Sequence, residues 1–372
     1  MPAAWRRRRP TPPRARQTDP ASPARHPNFV EVSAPDNDLS HEPVAVLGAG
    51  SWGTALAIQF ARAGHPTRLW CRSASDTATM RAERCNRRYL PEAAFPPAIE
   101  LHEDLASAVK DAVAIVIAVP SHALRSLLRQ LKPLLARDAR LAWATKGFEV
   151  DSGKLPHQVA WEVLGDRYPV AVLSGPTFAR EVGMGLPTAM TIASTDAEFA
   201  HQLAKSLSAP NFRAYTSTDI VGVEVGGAVK NVLAVGAGLS DGLGFGANTR
   251  IALITRGLSE VMRLGVKLGA QQETFMGLAG LGDLVLTSTD NQSRNRRFGL
   301  ALAEGKSVEQ ALRDIGQVVE GYSAAKAVHA VALREKVDMP IAAGIYRVLY
   351  ENQPAKDVVK GLMTRPIRSE VE

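Results

Sequence analysis

The sequence predicts an α/β fold, in which an N-terminal, doubly wound and mostly parallel sheet is followed by an all-α C-terminal domain. Short apolar runs alternate with helical stretches from Pro43 to about Ile220, as in repeated βαβ units. Beyond Ile220 the β-like runs stop, and helical periodicity continues nearly to the end of the chain. We therefore expect a sheet domain at 41–220 and a helical domain at 221–372, preceded by an arm at 1–40.

The first predicted strand leads into a glycine-rich turn. Val44–Leu47 is apolar throughout, and Gly48-x-Gly50-x-x-Gly53 carries the chain into an alanine-rich helix that runs to about Arg62. Gly48 allows the tight turn, Gly50 the close approach of a pyrophosphate, and Gly53 the close packing of helix on strand. The free N–H groups and the positive dipole at the helix start suit a diphosphate. The stretch predicts a Rossmann dinucleotide site; an ordinary glycine turn is the alternative.

Other segments have the length and composition of strands or helices. The remaining predicted strands are Thr67–Trp70, Ala112–Val119, Arg140–Ala144, Pro169–Leu173, Thr188–Ala193 and Phe212–Tyr215, with a helix at Ser121–Leu135. The predicted C-terminal helices are Val221–Gly238, Ala247–Gly269, Gly299–Glu304, Ser307–Ile315, Ser323–Glu335 and Pro340–Tyr350. A helical domain beside a sheet domain forms a cleft, and such clefts are common ligand sites.

Polar residues follow three of the predicted strands, at the edge where doubly wound sheets bind ligands. Ser121 and His122 follow one strand, Lys146 follows the next, and Ser174–Ala179 follows the third. Because topology places all three at the edge beside Gly50, we expect Lys146 to lie at the cofactor. A solvated turn lysine is the alternative. His122 is predicted to cap a helix or to lie in the core.

The end of the second predicted strand bears on the choice of cofactor. It reads Trp70-Cys71-Arg72-Ser73 and lacks the acidic residue that commonly bonds the ribose 2′-hydroxyl of NAD in Rossmann folds. Arg72 can instead meet a 2′-phosphate, which favours NADP. Stacking of Arg72 on adenine and its solvation are alternatives, so NADPH and NADH both stay candidate cofactors.

The helical half contains one lysine in an otherwise small and apolar stretch between Glu224 and Gly238. Gly226 and Gly227 each cost about 1 kcal/mol relative to alanine within a helix, so another group is expected to pack or bind close to the backbone. Partial burial of Lys230 favours its neutral form and lowers its pKa, as a proton donor or acceptor near neutral pH requires. A core-helix lysine whose ammonium group reaches solvent is the alternative.

A second polar stretch follows in the helical half. A glycine-rich turn at 277–282 presents Asp283, and the run Ser293-Arg294-Asn295 comes soon after it. Hydroxyl, guanidinium and amide donors in a row predict a site for an oxyanion or a phosphate. The next two residues, Arg296-Arg297, are predicted to lie on a solvated face.

Composition and charge exclude several classes of protein. The net charge is +7, but residues 1–30 contain seven arginines and one acidic residue and contribute +6 of it, so a nucleic-acid-binding body is not expected. No apolar run reaches the roughly 18 residues that span a bilayer, so no membrane span is predicted. The two cysteines, Cys71 and Cys85, predict neither a disulfide framework nor a metal site, and they fit a reducing cytoplasm.

The N-terminal arm has a composition of its own. It contains Arg6–Arg9 and seven prolines before Val30, cannot form a packed unit, and is predicted to be disordered. It lacks the apolar stretch of a secretory signal. An inert tail, or a start assigned too far upstream, is preferred over a basic organelle-targeting sequence, and a cytoplasmic location is expected.

Together these stretches resemble the bacterial type of glycerol-3-phosphate dehydrogenase, which uses NAD or NADP. The resemblance rests on seven motifs in the order of that family, from about Pro43 to about Val358. They are Gly48–Ala55, Val119–Ser121, Lys146-Gly147, Ser174–Ala179, Gly227–Asn231, Gly280–Leu284 with Thr287, and Ser293–Asn295.

The resemblance implies reversible reduction of dihydroxyacetone phosphate to sn-glycerol 3-phosphate with NADH or NADPH, the step that supplies phospholipid backbones. It implies that Lys230 is the catalytic proton acceptor in alcohol oxidation and the donor in ketone reduction. The implied cofactor-binding residues are Gly48, Gly50, Ser51, Trp52, Gly53, Arg72, Tyr89, Lys146, Ala179, Arg294, Val318 and Glu320. The implied substrate-binding residues are Lys146, Gly175, Thr177, Lys230, Asn231, Asp283, Ser293, Arg294 and Asn295.

The resemblance also implies a division of roles on the substrate side. Asn231 and Asp283 are expected to orient Lys230 and the substrate hydroxyl groups. Arg294 and Asn295 are expected to clamp the remote phosphate, whose binding energy can help to position the reacting carbon. A homodimer is compatible with the sequence.

Two rival functions are open. The first is another two-domain dehydrogenase, of the β-hydroxyacid or nucleotide-sugar type, which also pairs a Rossmann domain with a helical Lys-Asn; the run Ser293-Arg294-Asn295 argues against it. The second is a non-enzymatic dinucleotide sensor. A sensor would give Lys146, Lys230 and Asp283 no reason to occur together.

Overall fold

The computed structural model describes residues 42–366 and residue 369, so the predicted arm at 1–40 lies outside the described residues. The strands of the described chain all lie before residue 218. They are β1 (Val44–Leu47), β2 (Thr67–Trp70), β3 (Cys85–Asn86), β4 (Leu90–Ala94), β5 (Ile99–His102), β6 (Ala114–Ile117), β7 (Leu141–Trp143), β8 (Val170–Ser174), β9 (Thr188–Ser194) and β10 (Phe212–Ser217).

Eight strands form one sheet in the order β10-β9-β8-β7-β6-β1-β2-β5, and β3 pairs with β4 in a separate hairpin. Neighbours in the large sheet are parallel except β8 and β9, which are antiparallel. β1 pairs with β2 on one side and with β6 on the other, so that Val44 lies opposite Thr67 and Ala114. The strand order therefore reverses at β1, where a ligand crevice is expected. The predicted doubly wound, mostly parallel sheet is confirmed.

Helices cover both faces of the sheet. They are α1 (Ser51–Arg62), α2 (Ala74–Glu83), α3 (Leu105–Val109), α4 (Ser121–Leu131), α5 (Pro156–Leu164), α6 (Ala179–Met184) and α7 (Ala197–Leu207). Successive residues of β1 point to opposite faces, as the two-residue period of a strand requires. Val44 and Val46 belong to the core that contains α1, whereas Ala45 and Leu47 belong to the core that contains α4.

Helices alone form the rest of the described chain. They are α8 (Ile220–Gly242), α9 (Gly246–Lys267), α10 (Asp283–Thr289), α11 (Arg294–Ala303), α12 (Val308–Ile315), α13 (Glu320–Glu335), α14 (Pro340–Tyr350) and α15 (Ala355–Met363). Short 3₁₀ turns follow α4 and α9, and a π-helical turn at Leu278–Gly282 leads into α10. Both halves belong to one compact unit. The domain boundary predicted at 220/221 stays a prediction.

The centre of the helical half is α8. Nearly every residue of this helix from Ile220 to Ser240 is buried. The neighbouring α11 lies very close to it, since a Cβ on Gly238 would come within 2.0 Å of the carbonyl oxygen of Arg296. By length and composition α8 could cross a membrane, but 94% of its apolar stretch is buried inside the protein.

Helix α4 ends earlier than the sequence predicts. α4 stops at Leu131 rather than at Leu135, and the chain continues as the 3₁₀ turn Lys132–Leu134. Pro133 explains the difference, because its ring and missing N–H group disrupt a continuing α-helix.

Candidate active site

A cleft of about 1810 Å³ opens at the carboxyl ends of β1, β2 and β6. Residues of α8, α10 and α11 line it together with the segment 316–320. The cleft therefore takes its walls from both halves of the chain, and it lies where the strand order reverses. Doubly wound sheets bind their ligands at this place.

The glycine turn after β1 has the geometry of a diphosphate site. Gly48 has a φ of +117°, and a Cβ there would lie 2.7 Å from the carbonyl oxygen of Ala118. A Cβ on Gly53 would lie 1.8 Å from the carbonyl oxygen of Gly48, whereas a Cβ on Gly50 would have no neighbour within 4 Å. α1 begins at Ser51, and no side chain among the described residues caps its first N–H groups. Free N–H groups beside open space fit the diphosphate of a dinucleotide.

Most of the predicted site residues line this cleft. Those that do are Gly48, Gly50, Ser51, Trp52, Arg72, Tyr89, Lys146, Thr177, Ala179, Lys230, Asn231, Asp283, Ser293, Arg294, Asn295, Val318 and Glu320. Gly53 lies beneath the turn, as its packing role requires. Gly175 is buried, with a φ of +151°, and a Cβ there would lie 3.0 Å from the Cα of Met190. Gly175 therefore shapes the chain after β8, and its predicted role in substrate binding stays a prediction.

One carboxylate holds the two lysines of the cleft together. The Nζ of Lys146 donates to Oδ2 of Asp283 at 2.7 Å, and the Nζ of Lys230 donates to Oδ1 of Asp283 at 2.5 Å. Lys230 also donates to the hydroxyl of Thr287 at 2.9 Å. The side chain of Asp283 is only 2% exposed and that of Lys230 9%. Two ammonium groups from opposite halves of the chain thus share one buried anion.

This arrangement perturbs the pKa values of both partners. Burial lowers the pKa of Lys230 to about 8, and the adjacent Asp283 carboxylate only partly opposes that effect. Burial alone would raise the pKa of Asp283, but the two ammonium groups outweigh it and hold this pKa below its usual range. A lysine of this kind can both donate and accept a proton near neutral pH.

Two glycines of α8 allow the cluster to form. A Cβ on Gly226 would lie 2.5 Å from the carbonyl oxygen of Ala279, so α8 packs against the backbone of the π-helical turn that leads to Asp283. A Cβ on Gly227 would lie 3.5 Å from the Cγ of Lys146, so the stem of this lysine passes directly over the helix. The close packing predicted for these glycines is confirmed.

Buried amide side chains join α8 to α11 and α13. The Nδ2 of Asn295 donates to Oδ1 of Asn231 at 2.9 Å, and the backbone N–H of Gly321 donates to Oδ1 of Asn295 at 2.8 Å. Asn231 in turn donates to the carboxylate of Glu320 at 3.2 Å, and burial raises the pKa of that carboxyl. These contacts engage the amides inside the protein, although both side chains still line the cleft.

The polar run after α10 is divided between the cleft and the core. The Oγ of Ser293 caps α11 by accepting from the backbone N–H of Arg296 at 3.2 Å, and Arg294 lines the cleft. The prediction of a solvated face is wrong for Arg296, which is buried and donates to Asp241 at 2.5 Å. It is confirmed for Arg297, which is exposed. The tight packing of α11 on α8 explains the difference.

Two further residues of the cleft have contacts or positions that were not predicted for them. Thr287 bonds Lys230 from one turn after Asp283 in α10, and their spacing of four residues is the signal that could have revealed it. His122 was expected in a cap or in the core, but it is exposed at the start of α4 and lines the cleft.

Family profiles match the chain in two blocks. The profile described as the N-terminus of NAD-dependent glycerol-3-phosphate dehydrogenase matches residues 43–200, and the profile of its C-terminus matches residues 219–360. The chain belongs to this family. As a glycerol-3-phosphate dehydrogenase family member it is a nicotinamide-dependent oxidoreductase with NADH or NADPH as cofactor, which confirms the resemblance seen in its sequence.

Named relatives in the glycerol-3-phosphate dehydrogenase family are similar over nearly the whole described chain. The protein of Idiomarina loihiensis named glycerol-3-phosphate dehydrogenase (NAD(P)+) is 56% identical over 328 residues, which are 88% of this chain and 98% of that protein. The protein of the same name from Pseudoalteromonas translucida is 57% identical with the same coverage. A crystal structure of glycerol-3-phosphate dehydrogenase from Coxiella burnetii is 46% identical with a TM-score of 0.85, covering 87% of this chain and 99% of that one.

Proposed function

We propose that the chain catalyses the reversible reduction of dihydroxyacetone phosphate to sn-glycerol 3-phosphate, with NADH or NADPH as the reductant. The proposal rests on the buried Lys146–Asp283–Lys230 cluster, which lies in the same cleft as the dinucleotide-type glycine turn. The names of the relatives support this substrate pair.

Lys230 is the proposed general acid and base. When bound, the nicotinamide supplies a hydride to the carbonyl carbon or, in the reverse direction, accepts one. The ammonium form of Lys230 stabilises negative charge that develops on the substrate oxygen and donates a proton to it. In alcohol oxidation the neutral amine accepts that proton. A pKa of about 8 makes both forms available near neutral pH.

The neighbours of Lys230 have supporting roles in this proposal. Asp283 and Thr287 fix the direction of the amine, and Lys146 adds a second positive charge where an oxyanion forms. Arg294 lines the cleft and offers a guanidinium group to the phosphate of the substrate. The amide of Asn295 is engaged by α8 and α13, so we assign the phosphate to Arg294 and a supporting role to Asn295.

We also propose the direction and setting of the reaction. A lysine with a pKa of about 8 is mostly protonated at pH 7 and is therefore ready to donate a proton in ketone reduction, the direction that supplies glycerol 3-phosphate for phospholipids. A cytoplasmic location stays part of the proposal, since Cys71 and Cys85 are both free thiols. The homodimer stays a prediction.

The test follows the loss of NADH or NADPH absorbance with dihydroxyacetone phosphate, in the wild type, Lys230→Met and Lys326→Met. Lys326 is an exposed lysine of α13 and serves as the matched control. We expect Lys230→Met to lower kcat by about 10²- to 10⁴-fold and Lys326→Met to behave as the wild type. Undiminished kcat in Lys230→Met contradicts the assigned role.

The same assay separates the rival functions. Cofactor binding by the wild type without turnover of any ketone favours a dinucleotide sensor. Turnover of a β-hydroxyacid or a nucleotide sugar in place of dihydroxyacetone phosphate favours the other two-domain dehydrogenases.

A further inference from the structure

A buried carboxylate outside the cleft joins the two halves of the chain. The indole N–H of Trp143 donates to Oε1 of Glu224 at 2.8 Å, and the backbone N–H of His157 donates to the same oxygen at 3.0 Å. The Nδ1 of His157 lies 2.5 Å from Oε2 of Glu224. All three residues are buried, with relative exposures of 0% for Trp143, 4% for His157 and 3% for Glu224. This Trp143–His157–Glu224 cluster does not belong to the cleft lining.

Three elements meet at this cluster. Trp143 ends β7, His157 is the second residue of α5, and Glu224 lies in α8. A buried carboxylate is costly unless hydrogen bonds satisfy it, and apolar side chains of similar volume often stabilise a core better. Core packing alone therefore gives little reason for a glutamate at this place. Its three contacts do fix α8 on the sheet half.

Trp143 and Glu224 are each close in sequence to one of the two lysines that share Asp283. Lys146 follows Trp143 by three residues, and Lys230 follows Glu224 by six residues, or about 9 Å along α8. Between them, Gly227 lies against the stem of Lys146. A shift of α8 relative to β7 therefore changes the separation of the two Nζ atoms that share Asp283.

We propose that Glu224 is a positioning residue, which holds α8 against β7 and α5 so that Lys146 and Lys230 engage opposite oxygens of Asp283. The inference rests on the function proposed for these lysines. Glu224 itself touches neither the substrate nor the cofactor in this account. Its contribution is the placement of the amines, where an error of about 1 Å can cost roughly 100-fold in rate.

The first test compares Glu224→Leu with Glu224→Gln and with Glu260→Leu. Glu224→Leu is expected to lower kcat by about 10- to 100-fold and to leave KM for the cofactor within about threefold. Glu224→Gln is expected to restore kcat to within about threefold of the wild type. Its amide oxygen can accept from the indole N–H of Trp143 and the backbone N–H of His157, and its NH₂ group can donate to Nδ1 of His157.

Glu260→Leu is the matched control for a general loss of stability. Glu260 is also a buried glutamate of the helical half, and it accepts backbone N–H groups of Ile341 and Ala342 at 2.7 and 3.0 Å. It lies outside the cleft lining. Glu260→Leu is expected to weaken folding and to leave kcat unchanged at a temperature where the variant is folded.

The pH dependence of kcat distinguishes positioning from stability. Asp283, Lys146 and Glu320 are the charged groups that act on Lys230. If α8 moves away from β7, Lys146 leaves Asp283, the repulsion on Lys230 decreases, and the pKa that governs kcat rises. Glu224→Leu should therefore shift the profile to higher pH, whereas Glu260→Leu should leave it in place.

Each outcome decides between the alternatives. The positioning role is overturned if folded Glu224→Leu has the kcat of the wild type and an unshifted pH dependence of kcat. It is also overturned if Glu224→Gln loses as much activity as Glu224→Leu. If Glu224→Leu does not fold, Trp143→Phe takes its place: it removes one donor, and we expect kcat to fall by about 3- to 10-fold. Activity in Lys230→Met would instead refute the proposed function itself, whatever Glu224 does.

Discussion

Replacement of Lys230 by methionine should stabilise the protein while it lowers kcat. Burial lowers the pKa of Lys230 from 10.5 to about 8, so the ammonium form is less favourable in the folded state than in the unfolded chain. That difference corresponds to roughly 3 kcal/mol at pH 7. Methionine has a similar length and no charge, and Asp283 retains Lys146 as a partner at 2.7 Å. We therefore expect Lys230→Met to gain up to about 3 kcal/mol in the free energy of unfolding.

The gain should depend on pH with a defined sign. Between pH 8 and 10.5 the folded state binds fewer protons at Lys230 than the unfolded state does, so this residue makes the wild type more stable as the pH rises. Above pH 10.5 the amine is neutral in both the folded and the unfolded state, so its burial no longer lowers the free energy of unfolding. The advantage of Lys230→Met is therefore full below pH 8 and decreases toward zero near pH 10.5.

Urea unfolding followed by tryptophan fluorescence at pH 7 and pH 10 measures this effect, with Lys326→Met as the exposed-lysine control. Lys326→Met should change the free energy of unfolding by less than about 0.5 kcal/mol at either pH. The reasoning is refuted if Lys230→Met is less stable than the wild type at pH 7, or if the difference between them is the same at both pH values.

Three further variants test neighbouring parts of the structure. Asp283→Asn removes the charge that raises the pKa of Lys230, so the alkaline decline of kcat for ketone reduction should move to lower pH; an unmoved pH–rate profile would contradict this. Arg72→Glu should raise KM for NADPH about 10-fold and leave KM for NADH within about threefold, and equal effects on both cofactors would argue against a 2′-phosphate contact. Burial raises the pKa of Glu260 from 4.5 to about 7, so this group makes the wild type less stable as the pH rises from 4.5 to about 7. Glu260→Gln should remove this decrease in the urea unfolding midpoint, and an equal decrease in both proteins would contradict the reasoning.

Strands β1 and β6 could be predicted closely because parallel strands buried on both faces appear as continuous apolar runs. β1 and β2 have the predicted bounds, and β6 lies within the predicted segment. By contrast, the sequence did not indicate α2, in which only Thr77 and Met80 are buried. A helix with so small an apolar face has almost no periodic signal.

The residues of the site could be predicted from the sequence, but the contacts between them could not. Lys230 and Asp283 stood out as charges among small residues, yet 53 positions separate them. The two side chains meet because Gly226 packs against the backbone of Ala279, and the positions of these residues in the sequence do not reveal that contact. For Arg296, the burial of the side chain was predicted wrongly. It is indistinguishable in type from its neighbour, but the rotation of about 100° between successive helix residues directs it to the core.

The high hydropathy of α8 has a consequence for biosynthesis. This helix leaves the ribosome after the whole sheet has been made but before α11 and α13 exist to cover it. By length and composition alone, this helix of 23 residues could cross a membrane until its partners cover it. A lysine near the middle of such a segment costs about 2.5–3.5 kcal/mol on insertion into lipid. The amine proposed for proton transfer therefore makes α8 a poorer membrane span than its length alone would allow.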